Sequence, residues 1–319
     1  MTNRENFLKA ITFDKPERVP INAEYNPPYR GASDAFGVTY KYSGDNEWGY
    51  GIVKAENDKT NGQVKLHPVK TVEGYDNYKP PALSFEKNFA GLKEQASEIK
   101  AQDKFVFGLT GSILFERMHF IRGYSELMED MYMEEERFNN LARLITEYQE
   151  TVIHAYADAG VDAIWGGDDW GLQDRLMISP KMWRKLFKPW YARIFGAAKK
   201  RNLKFYMHSC GYIVDILDDL IEVGLDVIEV QQPTVLGVEA LGKRFGGRIC
   251  FSCPVDIQKV MPTGDRAEIE RQAALMKECF GSFNGGLIYL YYPDYNAIGV
   301  DDADVRFMGE MYEKYRKYQ

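Results

Sequence analysis

The chain has 319 residues, with 40 Lys and Arg against 47 Asp and Glu and a formal net charge of −7. It has no basic block and no apolar run near the roughly 20 residues that a membrane span needs, so nucleic acid and membrane are excluded as expected partners. A hydrophobic share of 45% and a charged share of 27% are globular usage. The start, Met1-Thr2-Asn3-Arg4-Glu5-Asn6, lacks a leader pattern, and four cysteines in so long a chain predict free thiols or metal ligands in a cytoplasmic protein rather than a disulfide framework.

Residues 26–100 are rich in Tyr, Asn, Gly and Pro, with a hairpin expected around 58–68, where Thr60-Asn61-Gly62 supplies turn chemistry. From Phe105 the pattern becomes an alternation. Strands are predicted at 105–109, 162–165, 204–207, 226–230, 248–252 and 287–291, and helices at 133–159, 179–201, 212–223 and 265–279. The phrases Ala159-Gly160-Val161-Asp162-Ala163-Ile164 and Val223-Gly224-Leu225-Asp226-Val227-Ile228 both read as a glycine helix cap, a short turn and a buried strand. Repeated βα units with short connections argue for a (β/α)8 TIM barrel or a doubly wound sheet. No Gly-rich dinucleotide or phosphate fingerprint follows a strand, which favours the barrel. The expected architecture is one domain over 1–319, with 26–100 as an elaboration over the barrel mouth.

In such a fold the chemistry collects at the carboxyl ends of the strands. The run Lys204-Phe205-Tyr206-Met207 ends in His208-Ser209-Cys210-Gly211. Residues i and i+2 of a strand point the same way, so an imidazole and a thiolate would face one point, a donor pair suited to zinc. Taken alone the pair equally fits a core histidine beside a small buried cysteine. Other strand ends are also polar: Asp168-Asp169-Trp170-Gly171, Glu229-Val230-Gln231-Gln232, Cys253-Pro254-Val255-Asp256 and Tyr292-Pro293-Asp294-Tyr295-Asn296.

These residues carry a resemblance. Arg4-Glu5-Asn6-Phe7-Leu8-Lys9-Ala10 with Lys15-Pro16-Glu17-Arg18-Val19-Pro20, then Asp168-Asp169-Trp170-Gly171-Leu172-Gln173, Met177-Ile178-Ser179-Pro180, Phe187-Lys188-Pro189, His208-Ser209-Cys210-Gly211 and Val255-Asp256-Ile257-Gln258 resemble the uroporphyrinogen decarboxylase superfamily. That resemblance implies a (β/α)8 barrel with its site at the C-terminal mouth. The decarboxylases proper carry an arginine-containing stretch after the Arg-Val-Pro element, whereas this chain reads Ile21-Asn22-Ala23-Glu24-Tyr25-Asn26 there. The H-x-C motif is instead similar to the corrinoid-linked methyltransferases, which include the methylcobamide:coenzyme M enzymes and relatives that demethylate methoxylated compounds.

By that resemblance His208 and Cys210 bind zinc, a corrinoid is carried on a separate protein, and a homodimer is expected. The branch takes a further ligand from near the last strand, normally a cysteine, and this chain has none there. Cys253, at another strand end and followed by a proline, is the expected third ligand, with Asp294 and Glu229 as the next choices. Cys250 and Cys279 are expected to be packing residues. Asp168, Asp169, Gln231 and Asp256 are placed around the mouth, orienting zinc ligands and substrate. An aromatic share of 14% favours an apolar or aromatic methyl donor over a small anionic thiol. The expected function is zinc-dependent methyl transfer between a methoxylated or thiol small molecule and the corrinoid. The alternatives are a cofactor-free decarboxylase using Asp168, Asp169 or Asp256 as proton donor, or a non-catalytic ligand-binding barrel.

Overall fold

The structure, a computed structural model, describes residues 1–22, 25–26, 47–53, 62–83 and 89–318. Strands β1 (Tyr25–Asn26), β4 (Phe105–Ser112), β5 (Ala163–Gly167), β6 (Lys204–His208), β7 (Val227–Glu229), β8 (Cys250–Cys253) and β9 (Leu287–Tyr289) form one sheet in the order β1-β4-β5-β6-β7-β8-β9. Every neighbouring pair in it is parallel. A separate two-stranded antiparallel pair joins β2 (Gly51–Val53) to β3 (Gln63–Leu66). Seven strands are therefore paired in the main sheet among the described residues, where eight were expected. Ile21 makes an isolated parallel bridge to Tyr289 of β9, while β1, a few residues on, pairs with β4 at the other edge.

Strand alternation divides the interior into two apolar clusters. Phe105, Phe107, Leu109, Ala163, Tyr206, Val227, Cys250 and Ile288 share the inner face, with Phe7 and Ile11 of the first helix, Asn3–Thr12, packed among them. Val106, Ile164, Phe205, Met207, Ile228, Phe251, Cys253 and Leu287 point the other way, into the layer covered by the helices. Strands buried on both faces read as continuous apolar runs, which is why their positions were visible in the sequence. Each fully buried side chain of this size stabilises the fold by about 1.5–3 kcal/mol relative to exposure.

The N-terminal motif does structural work at the opposite end of the sheet from the strand carboxyl ends. Thr2 and Glu5 form a capping box, and Arg4 makes a bidentate ion pair with Asp162 just before β5. Buried Asn6 accepts the N–H groups of Glu17 and Arg18 and donates to the Arg18 carbonyl, pinning the Lys15–Val19 turn.

Two sequence expectations shift. The helix expected over 179–201 is two helices, Pro180–Leu186 and Lys188–Lys200, broken at Phe187 because Pro189 in the first turn of the second has no N–H to continue the first. The strand expected to end at Leu109 runs on to Ser112. In place of a hairpin around 58–68, β3 pairs with β2, which lies before that range, and the expected turn residues Thr60 and Asn61 lie outside the described residues. The described part of the elaboration packs on the helices after β4: Trp48 on Tyr148, Tyr50 on Phe120, and Tyr75 bonded to Asp130, which also holds the buried Arg122. Among the described residues no helix is long and apolar enough to cross a membrane.

Candidate metal centre

His208 is the last residue of β6 and pairs across the sheet with Gly167 of β5 and Glu229 of β7. It falls on the same face as Tyr206, so its ring joins the inner side. Gly211, at a φ of 72°, then turns the chain. His208 Nε2 lies 3.3 Å from Cys210 Sγ and 3.5 Å from Asp169 Oδ1, and the Cys210 N–H donates to the same Asp169 oxygen at 2.7 Å. One donor atom from each of Asp169, His208 and Cys210 lies within 4.8 Å of the other two, the only such group of three found among the described residues.

The other ring nitrogen of His208 is also fixed. Nδ1 is 3.0 Å from Glu229 Oε1, and Glu229 Oε2 accepts Trp165 Nε1–H at 3.3 Å. Gln231 Nε2 reaches Glu229 Oε1 at 3.5 Å and is outside the close group of three. A carboxylate behind a histidine sets the tautomer and ring orientation that a metal-binding nitrogen needs. Burial alone would lower the His208 imidazole, but its bonds to Cys210 and Glu229 outweigh that and hold it well above the usual histidine value. Burial raises the Cys210 thiol, against the opposing pull of His208.

Imidazole nitrogen, thiolate sulfur and carboxylate oxygen are all zinc donors, and three protein ligands leave one coordination position for a reactant. The group therefore fits the metal that the H-x-C motif implied, with Asp169 rather than Cys253 as its third member.

Cys253 is fully buried in the outer cluster beside Phe251, while Cys250, three residues earlier, occupies the inner face. The strand-end position was right and the parity was wrong: a three-residue offset from an inward residue points outward. Cys250 is a packing residue as expected, but on the inner face rather than facing away, and Cys279 ends the helix Arg266–Cys279.

Asp168 is also fully buried, and it takes four donors: the N–H groups of Leu114, Phe115 and Glu116 and the Tyr191 hydroxyl, at 2.6–3.1 Å. It thus caps the helix Phe115–Arg122 from the neighbouring βα loop. Burial pushes its carboxyl up to about 6 against those donors. Asp256 is likewise consumed by the backbone, accepting the N–H groups of Thr234, Gln258 and Lys259. Asp294 is exposed and accepts the Ala297 N–H.

Two groups near the centre were missed. Glu116 and His119 lie one turn apart on the helix after β4, and both interact electrostatically with Asp169. The signal was available: once β4 ends at Ser112, Glu116 opens the helix at that strand's carboxyl end.

A parallel α/β sheet with polar side chains gathered at the carboxyl ends of β5, β6 and β7 defines the architecture of an α/β enzyme with a candidate metal centre. The chain belongs to the uroporphyrinogen decarboxylase (URO-D) family, whose model matches residues 51–286. Among solved structures it is similar to a methyltransferase from Methanosarcina mazei, with 14% identity, 99% of both chains covered and a TM-score of 0.72, which establishes a shared fold. A Listeria monocytogenes protein assigned as a vitamin-B12-independent methionine synthase shares 14% identity over 79% of this chain and 73% of its own, at a TM-score of 0.43. No curated protein matches the sequence.

Proposed function

We propose that the protein is a zinc-dependent methyltransferase built on a (β/α)8 barrel, moving a methyl group between a methoxylated or thiol small molecule and a corrinoid carried on a separate protein. The observation that carries the reading is the convergence of Asp169, His208 and Cys210 at the strand ends. Family membership and the fold shared with a methyltransferase support the same class. Zinc in this position would supply Lewis-acid polarisation of a heteroatom or a lowered pKa for a bound thiol.

The chain's own residues prepare the site. Glu229 fixes the His208 ring so that Nε2 faces Cys210 and Asp169. Asp169 does two jobs with one oxygen, accepting the Cys210 N–H and facing His208 Nε2. The decarboxylase alternative needs a free carboxylic acid as proton donor, and two of its three candidates, Asp168 and Asp256, are held by three backbone N–H groups each.

Elemental analysis of protein purified without a metal-affinity tag tests the reading. One zinc per chain, lost in Cys210→Ala together with methyl transfer to a corrinoid protein, is the expected result. A metal-free wild type that decarboxylates an acid would establish the alternative, and a metal-free inert protein that binds a small molecule would leave a binding barrel.

A further inference from the structure

We infer that the indole of Trp165 is the floor on which the substrate binds, and that it selects a planar aromatic ring carrying the reacting heteroatom over an aliphatic group of the same size. The inference rests on the reading of Asp169, His208 and Cys210 as the reactive centre.

Strand parity puts Trp165 beneath that centre. It lies on β5 two residues after Ala163 of the inner cluster, and it pairs across the sheet with Leu109 of β4 and Tyr206 of β6. His208 is two residues beyond Tyr206 on the same face, so Trp165 stands one layer of side chains below the ligand histidine. The two rings are 6.4 Å apart between centres and within 25° of parallel.

Exposure is the second observation. The apolar side chains of the inner cluster are buried, and Trp165 is the one partly exposed apolar side chain packed against them among the described residues. Leu109 and Tyr206 stand at its own level and Ala163 below it, so the open part of the ring faces the carboxyl ends of the strands, where the centre lies. The next inner position on β5 is Gly167, level with His208, and it brings no side chain over the indole.

The ring is fixed before a ligand arrives. Its Nε1–H donates to Glu229 Oε2 at 3.3 Å, and Glu229 is itself buried. The Thr110 hydroxyl donates to the Trp165 carbonyl at 3.1 Å. With its side-chain N–H engaged, the indole offers a ligand its π face. Such a face favours a second ring in offset stacking, beyond what the same apolar area would give. A quaternary ammonium also suits an indole, but here it would lie beside the dication that Asp169, His208 and Cys210 would hold, and like charges at that range repel.

Anisole and methoxycyclohexane, two uncharged ethers of similar size, are the probes, and ligand-observed NMR titration of the full chain gives their dissociation constants. The wild type should bind anisole more tightly. Trp165→Ala should cut the ratio of the two affinities by roughly two- to tenfold, the worth of one aromatic pair. Trp165→Phe, which keeps a ring and loses the N–H to Glu229, should retain most of the preference. Taking the ratio within each variant cancels a general loosening of the site. No measurable binding of anisole by the wild type, a ratio unmoved in Trp165→Ala, or a preference lost equally in Trp165→Phe overturns the inference, the last because Trp165 would then act only through Glu229. Tighter binding of tetramethylammonium than of anisole, abolished by Trp165→Ala, would overturn it in favour of a cation site. The probes need neither zinc nor turnover. A metal-free wild type that keeps the ring preference would sink the zinc reading alone, and a zinc-loaded, methyl-transferring wild type without that preference would sink this inference alone.

Discussion

Gly171 and Gly211 meet backbone to backbone. A β-carbon on Gly171 would lie 2.2 Å from the Tyr212 nitrogen, and one on Gly211 would lie 2.2 Å from the Gly171 oxygen. The loops after β5 and β6 are zipped together around this point by Asp168 N–H to the His208 carbonyl, Gly171 N–H to the Cys210 carbonyl and Tyr212 N–H to the Leu172 carbonyl. Trp170 N–H to Ser209 Oγ adds a fourth bond. This contact holds Asp169 against Cys210. Gly171→Ala should force the loops apart and weaken zinc binding by about tenfold or more, in the range seen when the support of a metal ligand is lost. Competition with a chromogenic chelator measures it, and wild-type affinity in the variant would show that the glycine contact does not position the ligands.

The donor set is open to direct test. X-ray absorption on zinc-loaded protein should show one sulfur at about 2.3 Å and the remaining donors, nitrogen or oxygen, at about 2.0–2.2 Å. Asp169→Ala and Cys210→Ala should lose stoichiometric zinc, whereas Cys253→Ser, on the outer face, should keep it. Two sulfurs in the native spectrum would restore Cys253 to the centre.

Glu229→Gln keeps the side-chain shape behind His208 and removes its charge. About 10–100-fold weaker zinc binding is expected, with little change in melting temperature. Unchanged affinity would mean that the 3.0 Å contact to Nδ1 does not tune the ring.

Asp168→Ala would leave three N–H groups at the start of the helix Phe115–Arg122 and the Tyr191 hydroxyl without their acceptor. A loss of about 1–3 kcal/mol is expected, the range for an unpaired buried group or a lost cap. Urea denaturation gives the value. A variant of native stability with abolished turnover would instead give Asp168 a direct chemical role.

His119 supplies a pH test. Burial, then the neighbouring His67, lowers its imidazole to about 4, and it sits among the rings of Phe115, Phe120 and Tyr124. Between about 4 and the unfolded value near 6.5 the unfolded chain holds more protons at this site, so stability rises with pH across that window and is lost as pH falls through it. Comparing urea midpoints at pH 7 and pH 5, His119→Phe should lose less stability than the wild type, by at most about 2 kcal/mol. Equal losses would mean that His119 does not titrate as its burial requires.

The strands were legible because parallel strands buried on both faces appear as apolar runs, as at Phe205-Tyr206-Met207 and Ile249-Cys250-Phe251. His208 and Cys210 were legible because a spacing of two is the period of a strand. What failed was parity and partnership. A strand-end position says which loop a residue enters but not which face it takes, and this misplaced Cys253. Adjacent acids such as Asp168 and Asp169 look alike in a sequence, yet one turns to a helix start 53 residues earlier and the other toward the centre. Such a choice is made by tertiary contacts that no local pattern carries.

The capping of one βα unit by the next has a consequence for the stiffness of this flank. Phe115 stacks on Trp170 at 4.1 Å, Trp170 donates to Tyr191, Tyr191 donates to Asp168, and Asp168 holds the helix that begins at Phe115. This closed circuit of buried rings and bonds welds the β4, β5 and β6 flank into one block, so widening that side would mean unstacking its core.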